Sequence, residues 1–79
     1  MTRGETIACF KLLTEGAGIT VWAPPELMHS MFAYAEWRPD WSSEYINDNL
    51  MVRVRLSEAR ELIKRAEEQI ALEVFEALQ

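Results

Sequence analysis

Seventy-nine residues, of which 49% are hydrophobic and 27% charged, fit one small globular domain spanning 1–79, and a chain this short buries only about 60% of its unfolded surface, leaving a marginal core. One histidine and one cysteine cannot furnish a structural zinc site, and the lone Cys9 has no partner for an internal disulfide. A net charge of −5 opposes phosphate binding, and no apolar run approaches a membrane span or a signal peptide, so the sequence predicts a soluble protein of the reducing cytoplasm without metal or cofactor.

The apolar residues of Glu5–Leu13 scatter around a helical projection, and the segment reads as a buried strand. A helix from Arg3 to Glu15, with Thr2 and Glu5 as a capping box and Gly16 as C-cap, is the open alternative. Cys9, between Ala8 and Phe10, then reads as a small inert core residue. Gly16-Ala17-Gly18 predicts a turn and Ile19–Trp22 a second strand, which would close a hairpin. Pro25 suits the first turn of a helix running to about Trp37, with Leu27, Met28, Met31, Phe32 and Ala35 on its apolar face. Pro39 ends it. Arg38–Asn49, rich in Pro, Asp, Ser and Asn, reads as an irregular connection.

Leu50–Leu56 alternates Val52, Val54 and Leu56 with Arg53 and Arg55, the pattern of a half-buried strand. Ser57 is positioned to cap a helix from Glu58 to the end, with Glu58 and Glu61 in its first turn. Its stripe is Ala59, Leu62, Ile63, Ala66, Ile70, Val74 and Ala77. The fold expected is α+β: a β-hairpin plus a third strand in an antiparallel sheet, covered on one face by an amphipathic helix and the long C-terminal helix. The order α-β-α-β-α is the runner-up.

The last turns of the C-terminal helix are apolar almost all round. Ile70, Ala71, Leu72, Val74, Phe75 and Leu78 therefore form a candidate homodimer interface. Arg53–Arg65 carries five bases against two acids, whereas Ala66–Gln79 has four acids and no base. An antiparallel copy would set one half against the other.

No catalytic motif is present. His29 and Ser30 are adjacent in sequence and do not face each other on a helix, and His29 reads as a solvated residue. Glu36, Asp40 and Glu44 are a conceivable acid–base set, but so small a domain leaves little room for a substrate cavity, and the chain is read as a non-enzyme. The segment Pro25–Asn49 carries five acids against Arg38 alone, together with five of the eight aromatics. Glu36, Trp37, Asp40, Trp41, Glu44, Tyr45 and Asp48 are the candidate partner-binding residues, Trp37 inclining to the core and Trp41 to the surface. Such a surface fits a protein with a basic face. In size, acidity and lack of motifs the chain is similar to small phage-encoded inhibitors, anti-CRISPR proteins among them; this likeness of profile, carried by no motif, implies modulation or inhibition of a partner. Two other readings stand beside it. One is an antitoxin-like or transcription-linked dimer that uses Arg53, Arg55, Arg60, Lys64 and Arg65 on DNA, although direct nucleic-acid binding is disfavoured by charge. The other is a structural assembly subunit.

Overall fold

A computed structural model describes all residues from Met1 to Gln79. The chain runs α1 (Arg3–Glu15), β1 (Thr20–Ala23), α2 (Pro25–Ala35), β2 (Ser42–Ile46), β3 (Asn49–Arg55) and α3 (Leu56–Ala77). The strands form one antiparallel sheet in the order β1-β3-β2. This is a small α+β fold with two helices before the hairpin and one after it.

Glu5–Leu13 is helical, not a strand. Thr2 Oγ1 accepts the Glu5 N–H at 3.1 Å and Glu5 Oε1 accepts the Thr2 N–H at 3.2 Å, a reciprocal cap that satisfies two groups otherwise left orphaned. These bonds hold the Glu5 carboxyl below its ordinary value. The scatter of apolar residues that suggested a strand is real. Thr6, Ile7 and Phe10 turn inward, while Ala8, Cys9 and Leu12 remain exposed. Cys9 is accordingly a surface thiol and not a core residue: Ile7 and Phe10, three apart, share the buried face, whereas Cys9, two residues after Ile7, projects from nearly the opposite side of the helix.

The hairpin is therefore not the one expected from residues 5–22. It forms between β2 and β3, so that the presumed irregular connection Arg38–Asn49 contains a strand. Asn47 and Asp48 close it with φ of 52° and 66°, the double positive φ of a type I′ turn whose twist matches the flanking strands.

On β1, Val21 and Ala23 are buried, and on β3, Val52 and Val54 are, in register Val21–Val54 and Ala23–Val52. Their neighbours Thr20, Trp22, Arg53 and Arg55 occupy the other face, which no helix covers. The core joins that single sheet face to Ile7 and Phe10 of α1, Met28, Met31, Phe32 and Ala35 of α2, and Ala59, Leu62 and Ala66 of α3.

α2 ends two residues earlier than expected and before Pro39 acts. Glu36 adopts φ 51°, and the N–H groups of Glu36 and Trp37 return to the carbonyls of Ala33 and Phe32 at 3.1 and 3.2 Å, the Schellman pattern that satisfies orphaned carbonyls. β3 passes into α3 without a loop. Arg55, not Ser57, is the N-cap residue, and it offers no side-chain cap. Instead the Leu56 N–H donates to the Ile19 carbonyl at 2.9 Å, tying the helix start to the entry of β1. α1 lies against the second half of α3, bridged by Arg3–Glu73 at 2.7 Å and Lys11–Glu67 at 3.0 Å. No helix is long and apolar enough to cross a membrane.

Candidate functional site

β2 is an edge strand, and every residue from Ser42 to Ile46 is exposed. Its register on β3 pairs Ser42 with Arg53, Ser43 with Val52, Glu44 with Met51, Tyr45 with Leu50 and Ile46 with Asn49. Residues opposite each other in a sheet share a face. Ser43 and Tyr45 thus lie on the helix side with Val52 and Leu50, while Ser42, Glu44 and Ile46 lie on the open side with Arg53. Tyr45 is 74% exposed and Leu50 40%, because the hairpin tip runs past the helices that cover the rest of the sheet.

Trp41, which leads into β2, is on the helix side. Its ring meets His29 edge-on at 5.6 Å and Phe32 at 6.4 Å, and the Arg38 guanidinium lies 5.7 Å from both the Phe32 and the Trp41 rings. Held by this cluster, it remains 40% exposed. Trp37 is half-buried against the core and carries the Arg65 guanidinium 4.6 Å over its ring. The seven candidate residues are therefore divided. Trp41 and Tyr45 border one side of the β2 edge and Glu44 the other, Asp48 sits at the hairpin tip, Glu36 caps α2, and Trp37 braces α2 against α3.

Asp40 lines a half-open groove of about 330 Å³ with Ile19, Thr20, Trp41, Ser42, Arg53, Val54 and Arg55. Of the three carboxylates considered for acid–base chemistry, Asp40 alone lines it. The arginines beside it have partners: Arg53 Nε donates to Ser42 Oγ at 3.1 Å and Arg55 bonds Glu58 at 2.8 Å. The volume is at the lower limit of ligand sites. No three His, Cys, Asp or Glu side chains are grouped to hold a metal ion.

The five bases considered as a strip do not form one. Arg53 and Arg55 are on the uncovered sheet face, whereas Arg60 and Lys64 are on α3, across the sheet from them. Arg65 pairs with Glu61 at 3.0 Å beneath Trp37. On α3, Ile70 packs against the core. Ala71, Leu72, Val74, Phe75 and Leu78 are exposed, the last two by 60% and 83%. Val74, expected in the buried stripe, is outside because the core ends near Ile70.

Sequence reasoning missed Leu50 and Ile46 at the hairpin tip and His29 and Arg38 around Trp41. The pair Asn47-Asp48 between two β-prone runs was the signal for the hairpin; nothing in the sequence signalled the stacking on Trp41. Comparison with protein-family models, with curated proteins and with solved structures finds no match.

Proposed function

We propose that this chain is a non-catalytic binding module that engages a partner protein of basic surface through Trp41 and the β2 hairpin, and so modulates or inhibits it. The observation that carries the reading is the fully exposed strand β2, with Trp41 and Tyr45 on one side and Glu44 on the other. Aromatic side chains held in place by their neighbours lose little entropy on binding, and surrounding acids favour a basic partner. Affinity capture from lysate tests it, with wild type beside Trp41→Ala and a paired Asp40→Asn, Glu44→Gln variant. Loss of a discrete protein by both variants is the expected result, with Trp41→Ala weakening the complex by about 2 kcal/mol or more, as for an interface hot spot. Retention of every captured protein by both variants defeats the reading.

A second reading rests on a separate observation, the exposed Leu72, Val74, Phe75 and Leu78. In an antiparallel pair of α3 helices, Phe75 and Leu78 of one copy would cover the shallow groove of Arg60, Ile63, Lys64, Glu67, Glu68 and Ala71 on the other. Sedimentation at micromolar concentration tests it, and a one-chain mass defeats it.

A further inference from the structure

Resting on the reading of β2 as a contact surface, we infer that the partner is bound by strand addition: an extended segment carrying alternate basic residues extends the sheet along the free edge of β2. The backbone argument starts at the turn. In a two-residue hairpin the closing pair, here Ile46–Asn49, exchanges both backbone hydrogen bonds, and in an antiparallel ladder such pairs alternate with pairs that exchange none. Glu44 and Ser42 therefore also spend their N–H and C=O groups on β3. The N–H and C=O groups of Ser43 and Tyr45 face away from it, four backbone groups in line along an exposed edge.

Edges of this kind are normally blunted by a proline, a lysine or a bulge. β2 has none of these, and its register with β3 is unbroken over five pairs. β1, the other edge, is four residues long and is stopped by Pro24. Charge identifies the occupant. The only ionised side chain on β2 is Glu44, Asp48 sits at the tip and Asp40 precedes the strand, while Arg53 stands on β3, one strand back from the free edge, and Arg38 lies over the Phe32 and Trp41 rings. A second copy of β2 brings the same acids against this edge, whereas an added strand with Lys or Arg at alternate positions sets its bases beside Glu44 on the open side. Its intervening apolar residues then lie on the helix side, beside Trp41 and Tyr45.

The probe is the acetylated peptide amide Lys-Val-Lys-Val-Lys-Val, titrated into the full chain with Trp fluorescence and amide hydrogen exchange as readouts. Three control peptides replace Lys by Glu, N-methylate the three Lys nitrogens, or N-methylate the three Val nitrogens. Strand addition predicts binding of the lysine peptide, slowed exchange at Ser43 and Tyr45, and at least tenfold weaker binding of the Glu peptide and of the one N-methylated peptide whose methyl groups face β2. Ser43→Pro removes an N–H the native ladder does not use, and it is expected to weaken binding at least tenfold with little change in Tm. The pair of N-methylated peptides gives the same test without altering the protein. No binding of the lysine peptide, or equal binding of both N-methylated registers, overturns strand addition. The capture experiment with Trp41→Ala decides independently whether the segment is a contact surface at all.

Discussion

Leu62 is fully buried where α3 meets the core. A 79-residue chain has a total stability of about 4 to 12 kcal/mol, and Leu62→Ala removes about 2 to 5 kcal/mol of it. Denaturant melts of that variant are therefore expected to show a midpoint far below that of wild type, or no cooperative transition. Glu36 has the opposite expectation. It holds a left-handed conformation that costs a side chain about 1 kcal/mol and glycine almost nothing. Glu36→Gly should raise Tm by about 4 to 8 °C, measured by circular dichroism. Glu5 supplies a pH dependence. Its folded-state pKa is lowered by the bonds to Thr2, so the cap's contribution is complete above the ordinary carboxylate range and fades as pH falls through the lowered value. Between about pH 5 and pH 3, wild type is expected to lose more thermal stability than Glu5→Gln, in which that position does not titrate.

Among the elements, legibility followed periodicity. The alternation of Val52 and Val54 with Arg53 and Arg55 read correctly as a strand with one wet face, and the three- and four-residue spacing of Ala59, Leu62 and Ala66 read correctly as the buried side of a helix. α1 was obscured because Ala8, Cys9, Leu12 and Leu13 lie outside its buried stripe, so its apolar pattern has no clean period. The capping box, a local hydrogen-bond arrangement, outweighed the pattern. β2 was obscured because both its faces are exposed, which removes the alternation by which strands are recognised. The turn was the better guide to this hairpin than the strand itself. Asn47-Asp48 differs from the favoured Asn-Gly by one residue, and Asp48 pays the left-handed cost that glycine avoids. Asp48→Gly is expected to stabilise the chain by about 1 kcal/mol, measured by urea denaturation. The candidate site was thus legible as a list of residues but not as an arrangement, since the distribution of Glu44 and Tyr45 to opposite faces depends on a register the sequence did not reveal.

At the scale of the molecule the body measures 48 × 23 × 20 Å, of which the 22 residues of α3 account for about 33 Å of length. Its second half is held to α1 by the exposed Arg3–Glu73 and Lys11–Glu67 pairs, each worth at most about 1 kcal/mol. If α3 pairs with a copy of itself, Phe75→Ser with Leu78→Ser will shift the sedimentation coefficient towards one chain, and Lys64→Glu will do so in part, with added salt weakening the wild-type association. The direct passage from Arg55 to Leu56 bears on how such an assembly would be oriented. The central strand and the longest helix share one uninterrupted backbone, braced where the Leu56 N–H meets Ile19. With no linker to act as a swivel, the direction of α3 fixes the direction of the sheet, and a probe attached to the helix end would report the heading of the β2 edge as a compass needle does.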